Sequence, residues 1–288
     1  SSFEERKLII DTINSILDKA ICPDDILPII TQSIQRDEGS PASRVLCTLV
    51  VLLDLFNNEL SIELMKKKWD SLMRIIAEIP FSKNEIKVDI GDARKLNLAS
   101  DVATLLITSP PYINVFNYHQ KYRRSVEALG YDVLAIAKSE FGSNRKNRGN
   151  RLLTVIQYCI DMALSIKEAI RVCQPNSRMV YVVGRESNVL GYAFCNSELI
   201  YNLGVEIFNL PFMLRQERVF KNRFGQMIYE DILHFENSKE MISLDELTIV
   251  EKARGIATRM LSEKAELMPE SKNIGLIYDA IKKAEKNK

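Results

Sequence analysis

The sequence predicts an α/β fold in which a mostly parallel sheet closes in an antiparallel hairpin, with a helical segment before it and helices after it. Apolar residues recur at helical spacing up to about residue 80. Short β-branched runs then alternate with helical stretches, which is typical of parallel strands joined by right-handed crossovers. The last two runs flank a polar turn, as in a hairpin. We expect three parts: a helical segment (1–82), an α/β domain (83–238) and a helical tail (239–288).

The helical segment contains one clear amphipathic stripe. Its apolar residues step by four, three, four and three positions: Met65, Trp69, Leu72, Ile76 and Ile79. This spacing puts them on one face of a helix. Because Trp69 belongs to the stripe, we expect it in a core rather than on a ligand surface.

The α/β domain is predicted from a run of alternating segments. The strands "EIKVDI" (85–90) and "VATLLI" (102–107) precede the long helix "RLLTVIQYCIDMALSIKEAIRV" (151–172). The continuous apolar run "RMVYVVG" (178–184) is typical of a strand buried on both faces of a parallel sheet. The helix "NSELIYNLG" and the strands "VEIFNLPF" and "MIYEDILHF" follow. The charged tail from about residue 243 is predicted to form solvated or partner-facing helices.

Composition excludes several classes of protein. A net charge of +1 gives no global attraction to a polyanion, so nucleic-acid binding would need a local basic patch. Two histidines (His119 and His234) cannot build a histidine-rich metal centre. The five cysteines form no C-x-x-C pair, which argues against a zinc site or a disulfide framework and favours a reducing cytoplasm: Cys22, Cys47, Cys159, Cys173 and Cys195. The longest apolar run is interrupted by Asp54 and is too short for a membrane span.

The segment Ser109-Pro110-Pro111-Tyr112 follows the predicted strand "VATLLI" directly. Ligands of open α/β sheets bind at the carboxyl ends of the strands, which is where this segment falls. Each proline fixes its own φ and restricts the residue before it, so the backbone is stiff. A stiff corner with a hydroxyl, a carbonyl and an aromatic ring suits the binding of a planar base that carries an exocyclic amino group.

The motif "TSPPY" after a strand resembles the catalytic motif of the DNA amino-methyltransferases, which methylate cytosine or adenine amino groups with S-adenosylmethionine. The segments "VDIGDARKLNL", "AIRVCQPNSRMVYVVG" and "RQERVFKNRFGQMIYEDILHF" also resemble that family, so the likeness covers residues 85 to 236. The resemblance implies a Rossmann-like methyltransferase sheet. Serine at the first position of the motif is most associated with cytosine-N4 enzymes. A role in a restriction-modification or related defence system is also implied.

The resemblance implies catalytic roles for Ser109, Pro110, Pro111 and Tyr112. Ser109 and the Pro110 carbonyl would accept the two N–H bonds of the amine, so that the nitrogen lone pair can turn toward the methyl donor. Tyr112 would stack on a base extruded from the duplex.

Cofactor contacts are implied for Asp92, Ala93 and Thr108, with Asp92 on the adenine amino group of S-adenosylmethionine. An ordinary Gly-Asp turn is the rival interpretation of Asp92. Two residues just after the motif, Asn114 and Tyr118, are further candidates for lining the pocket, whereas His119 is expected to be a surface or loop residue with substrate contact as the alternative.

Basic residues cluster after the motif and are predicted to contact nucleic-acid phosphates: Lys121, Arg123, Arg124, Arg145, Lys146, Arg148 and Arg151. Binding by such contacts weakens as salt rises. A solvated basic loop is the alternative interpretation.

The glycine-rich cofactor turn of such enzymes is missing, because no two of the eleven glycines lie within four residues of each other. The first two strands of the family's sheet are missing too, which would leave "VATLLI" with an unpaired apolar edge. We therefore expect a split enzyme, in which a second polypeptide completes the S-adenosylmethionine pocket. A fragment of a longer protein and a degenerate relative are the alternatives. Two rival functions stay open: an RNA amino-methyltransferase and a non-catalytic DNA-binding or scaffold subunit.

Overall fold

The computed structural model describes residues 3–113, 120, 122–137, 139–142, 147, 149–222, 224–238 and 244–286. Contacts between residues group the chain into two compact units, one of residues 1–88 with 118–137 and one of residues 89–117 with 138–288. The three-part division at residues 82 and 238 stays a prediction. In the structure, the C-terminal helices belong to the same unit as the sheet.

The first unit is helical. Ser40 and Ser61 each cap a helix by accepting a hydrogen bond from a backbone N–H three residues later. The predicted stripe is confirmed in Met65, Trp69 and Leu72, which are buried in the core of this unit, and in Ile76, which packs against it; the Trp69 indole donates to Asn14. Ile79 does not belong to the stripe, because α4 ends at Glu78 and Ile79 is 52% exposed. The helices are α1 (Phe3–Leu17), α2 (Pro23–Arg36), α3 (Pro41–Leu53), α4 (Ile62–Glu78), α5 (Arg123–Ala128) and α6 (Val133–Ile136).

The second unit contains a four-stranded sheet. The strands lie in the order β1-β2-β6-β5, where β1 is parallel to β2 and both remaining pairs are antiparallel. The helix α7 (Leu153–Val172) is the crossover between β1 and β2. The predicted α/β class, with its crossover and closing hairpin, is confirmed. The strands are β1 (Ala103–Thr108), β2 (Cys173–Gly184), β5 (Phe212–Lys221) and β6 (Met227–Glu236).

Helices pack on one face of this sheet. Alternate residues of β2 and β6, such as Tyr181 and Phe235, are buried against α7 and α8 (Asn196–Asn202). The tail helices α9 (Glu246–Leu267) and α10 (Ile274–Lys286) join the same core. The prediction of solvated tail helices was therefore wrong, because α9 packs on α7 and buries an apolar face that includes Ile249, Ala253 and Leu261.

Two further predictions of local structure were wrong. Residues 85–90 form no strand in the structure, and Ile86, Val88 and Ile90 are 75%, 86% and 96% exposed. A β-branched sequence forms a strand only where another backbone pairs with it. The predicted strand "VEIFNLPF" begins instead as a π-helical turn (Leu203–Ile207) that continues α8. Gly204 lets this turn lie close to the Phe235 ring, since a Cβ on residue 204 would be 3.1 Å from that ring.

A small hairpin of β3 (Glu186–Val189) and β4 (Tyr192–Cys195) follows β2 and was not predicted. Its two-residue turn has φ of 54° at Leu190 and 95° at Gly191, as a type I′ turn requires. Among the described residues, no helix is both long and apolar enough to span a membrane.

Candidate functional site

The segment of residues 109–112, here called the Ser-Pro-Pro-Tyr corner, lies at the carboxyl edge of the sheet. It follows Thr108, the last residue of β1, which is paired with Tyr181 of β2. Ser109 is exposed, whereas Pro110 is buried and Ile113 is fully buried. The corner is therefore anchored at two points while its first hydroxyl stays accessible, as predicted for a ligand-binding loop at this edge.

Tyr112 crosses from the corner onto the neighbouring strand. Its ring lies so close to Gly184 that a Cβ on that residue would be 2.7 Å from Cε2. Its hydroxyl is 3.4 Å from Oε1 of Glu230. Burial and the charge of Glu230 raise the pKa of Tyr112, and hydrogen bonds from the Ser109 hydroxyl and the Gly184 backbone N–H oppose that rise. The corner thus connects Ser109, Tyr112 and Glu230.

Glu230 was not predicted as a site residue. It is paired with Gly184 of β2 and with Arg218 of β5, so the three positions share one face of the sheet. Arg218 Nη1 lies 3.5 Å from Oε2 of Glu230. That oxygen is buried and accepts no hydrogen bond from the described part of the chain.

The next residue, Asp231, faces the other side of the sheet and is fully buried. Its carboxylate accepts hydrogen bonds from Ser197 (2.7 Å), Arg215 (2.9 Å) and Arg185 (3.1 Å). Burial acts to raise the pKa of Asp231, but these three donors hold it below its ordinary value. We call these four residues the Asp231 network. Arg185 also pairs with Glu217.

The sequence contained a signal for the Asp231 network that our reasoning missed. In "EDILHF", Asp231 has the same strand parity as Leu233 and Phe235, so an acid lies on an otherwise apolar face. A carboxylate at such a position needs partners, because an unpaired buried charge is strongly unfavourable.

A cavity of about 420 Å³ adjoins the network and is lined by Cys195, Ser197, Glu198, Tyr201, Phe212, Arg215 and Leu233.

On the predicted cofactor side, Asp92 is engaged within its own turn. Its two carboxylate oxygens accept from Nε (2.9 Å) and Nη2 (2.6 Å) of Arg94, and this hydrogen bonding lowers the pKa of Asp92. Arg94 in turn reaches the buried Asp161 of α7 at 2.7 Å. The structure thus favours the Gly-Asp turn over a contact with an adenine amino group.

The other two cofactor candidates add little to a pocket. Ala93 lies exposed in the same turn, and Thr108 is half-buried at the end of β1. With both oxygens of Asp92 taken by Arg94, the described residues do not make a cradle for S-adenosylmethionine by themselves. The three cofactor contacts stay predictions, and we derive no step through the cofactor.

The basic candidates are only partly described. In the first unit, Arg123 pairs with Glu127 at 2.7 Å, and Arg124 stacks on the Phe56 ring at 5.6 Å. Arg151 lies half-buried just before α7. The remaining candidates lie outside the described residues, namely Lys121, Arg145, Lys146 and Arg148, and so do Asn114, Tyr118 and His119. Phosphate contact stays a prediction for all seven basic residues.

Comparisons with known proteins add a distant likeness. No family model matches the sequence, and no curated protein matches it either. A crystal structure of a SAM-dependent methyltransferase from Methanosarcina mazei is similar over 58% of this chain and 76% of its own, with 9% identity and a TM-score of 0.32. A likeness this distant carries no argument about activity, so the proposal below depends on the site.

Proposed function

We propose that this chain is the base-binding part of a split, S-adenosylmethionine-dependent DNA amino-methyltransferase that acts on N4 of cytosine. The observation that carries the proposal is the Ser-Pro-Pro-Tyr corner at the carboxyl edge of β1, with an exposed Ser109 beside Tyr112. The choice of DNA and of cytosine comes from the motif's resemblance to that family. So does the setting, a restriction-modification or related defence system.

The corner's rigidity supports a role in binding a base. Burial of Pro110 and Ile113 fixes the backbone on both sides of Pro111 and Tyr112. Ser109 therefore presents its hydroxyl from a fixed position to a target outside the sheet. An acceptor placed there would bind an amine more tightly as positive charge develops on its nitrogen, which is how such a group accelerates transfer.

The edge of the sheet supports the need for a second polypeptide. Within the described residues β1 pairs only with β2, and Leu105 and Ile107 are 52% and 67% exposed. Such an edge carries unpaired N–H and C=O groups that can accept another strand. We propose that a second polypeptide pairs there and supplies the glycine-rich turn and most of the cofactor pocket.

A methylation assay tests the proposal. The tagged chain is expressed in its native host, and both the chain alone and any complex isolated with it are incubated with S-adenosylmethionine carrying a radiolabelled methyl group. Duplex DNA and RNA serve as separate substrates, and digestion to nucleosides identifies the modified base. We expect N4-methylcytosine in DNA, formed by the complex and abolished by Ser109→Ala.

Each other outcome contradicts a specific part of the proposal. Methylation by the chain alone would refute the split arrangement, and so would a native protein whose mass shows one longer chain. Label in RNA would favour the RNA amino-methyltransferase, and N6-methyladenine would refute the choice of base. No incorporation under any condition would favour a non-catalytic scaffold subunit.

A further inference from the structure

Glu230 lies two strands away from the Ser-Pro-Pro-Tyr corner in the sheet order. Because Glu230 and Gly184 are a directly paired position of β6 and β2, their side chains would point to the same face. Gly184 has no side chain, and the Tyr112 ring fills the space where its Cβ would be. The ring therefore spans the position of Gly184, and its hydroxyl reaches Glu230 at 3.4 Å.

We propose that Glu230 is a positioning residue that sets the direction of the hydrogen bonds along Ser109, Tyr112 and Glu230, so that Ser109 faces the target base as an acceptor. The inference rests on the proposed function, because it assigns a way of selecting amino-bearing bases to the same corner.

The direction follows from what each group can donate. A carboxylate only accepts hydrogen bonds, so the Tyr112 hydroxyl must donate its hydrogen to Glu230. The phenol oxygen is then left to accept from the Ser109 hydroxyl, three residues before it in the corner, and hydrogen bonding with Ser109 opposes the rise in the pKa of Tyr112. Ser109 has then used its only hydrogen, and its lone pairs are left for a donor.

Selectivity between bases is the consequence. The amino group of cytosine offers N–H donors at the position where uracil and thymine carry a carbonyl oxygen. A carbonyl opposite the Ser109 lone pairs would leave both acceptors without a hydrogen, and such mispairing of desolvated polar groups is costly. Glu230 would thereby exclude bases with a carbonyl without touching the base.

A first measurement tests the contact without reference to activity. The protein is labelled with 3-fluorotyrosine, whose fluorine gives a ¹⁹F NMR signal and lowers the phenol pKa, and the Tyr112 signal is assigned with Tyr112→Phe. Glu230→Gln removes the charge that raises the pKa of Tyr112, so we expect that pKa to fall. Glu236→Gln is the control: it lies six residues away on the same strand, about 20 Å along it, and should leave the pKa unchanged.

A second measurement tests selectivity. Fluorescein-labelled decamers of dC and dU, which differ at the 4-position as amino group and carbonyl, are titrated with the protein, or with the complex if the split arrangement holds, and binding is followed by anisotropy. We expect the wild type to prefer dC by about tenfold, as for one mispaired polar group. Glu230→Gln should reduce the preference to under about twofold, and Glu236→Gln should keep it. Tyr112→Phe breaks the same chain of hydrogen bonds and should act like Glu230→Gln.

The outcomes separate this inference from the proposed function. An unchanged Tyr112 pKa in Glu230→Gln overturns the inference, whatever the protein binds. A lowered pKa with an unchanged dC preference overturns it as well, while base recognition stands. A lowered pKa in Glu230→Gln, together with equal binding of dC and dU by the wild type, overturns both the inference and the proposed recognition of cytosine. If Glu230→Gln does not fold, Tyr112→Phe takes its place in the binding experiment. The inference is then refuted if Tyr112→Phe keeps the wild-type preference for dC.

Discussion

The contact between Tyr112 and Gly184 can be tested by adding one methyl group. In Gly184→Ala, the new Cβ would lie 2.7, 3.1 and 3.2 Å from Cε2, Cζ and Cδ2 of the Tyr112 ring. Non-bonded carbon atoms prefer about 3.5–4.0 Å, so the ring must move or the strands must shift. Overpacking of this kind destabilises by about 1–3 kcal/mol, and we expect the free energy of unfolding to fall by that amount.

A double-mutant cycle shows whether the ring causes the loss. In a Tyr112→Ala background the alanine at position 184 meets no ring, so the cost of Gly184→Ala should largely disappear. We expect a coupling of about 1–3 kcal/mol, well above the roughly 0.3–0.5 kcal/mol scatter of independent sites. If the two substitutions are additive, the ring does not lie against Gly184 in solution, and the inference about Glu230 loses its geometry.

The choice of signal and control matters for this measurement. Trp69 is the single tryptophan and lies in the first unit, so urea unfolding should be followed by far-UV circular dichroism rather than by tryptophan fluorescence. Gly255→Ala is the matched control, because nothing lies within 4 Å of a Cβ at this position in α9. It should stabilise by about 0.5–1 kcal/mol, since alanine is the better helix former. Replacing glycine by alanine should thus lower the free energy of unfolding at position 184 and raise it at position 255.

Three further predictions follow from the structure. Asp231→Asn should destabilise by about 1.5–3 kcal/mol, because the buried carboxylate loses its charge-assisted hydrogen bonds to the half-exposed Arg185 and Arg215. The stability from the lowered pKa of Asp231 is present above its unfolded value of about 4 and is lost as pH falls through the folded value, so unfolding curves of the variant should lose that acid-side dependence. Asn237→Ala removes the amide that donates to the Ile170 carbonyl at the end of α7 and to the Cys173 and Gln174 carbonyls at the start of β2, which should cost about 1–3 kcal/mol in urea unfolding. Ile107→Lys should change the stability of the isolated chain by less than about 0.5 kcal/mol but prevent co-purification of the proposed second polypeptide; Lys87→Glu, also at an exposed position, should leave the complex intact.

Much of the fold could be predicted because each element has one dominant local pattern. The apolar run of β2 and the helical spacing of α7 specify a buried strand and its crossover helix within a few residues. Residues 85–90 show where this reasoning stops. Their alternation of Ile86, Val88 and Ile90 is a strand pattern, yet a strand also needs a partner, and the sequence does not say whether one exists. The prediction for the charged tail failed because its many charged residues suggested a solvated helix pair, although one face of α9 carries Ile249, Ile256 and Leu261, which are buried.

The site was predicted in part. The Ser-Pro-Pro-Tyr corner could be placed at the carboxyl edge because prolines and strand ends are local signals. Glu230 could not be found in this way, because its contact with Tyr112 joins residues 118 positions apart and depends on the β2–β6 register. Asp92 shows a limit of another kind: its sequence context resembles a cofactor contact, which stays a prediction, but the sequence did not show that Arg94, two residues later, pairs with its carboxylate.

The two adjacent acids of β6, Glu230 and Asp231, suggest why the sheet contains a costly buried charge at Asp231. Consecutive strand residues face opposite sides, so Asp231 points toward α8 and Glu230 toward Tyr112. A buried ion pair is seldom more stable than apolar packing of the same volume, so stability alone does not account for the Asp231 network. What the network does is join β5, β6, α8 and Arg185, the residue that follows β2, through one carboxylate. A strand held in this way keeps Glu230 in a fixed place, which a residue that orients the hydrogen bond of Tyr112 requires.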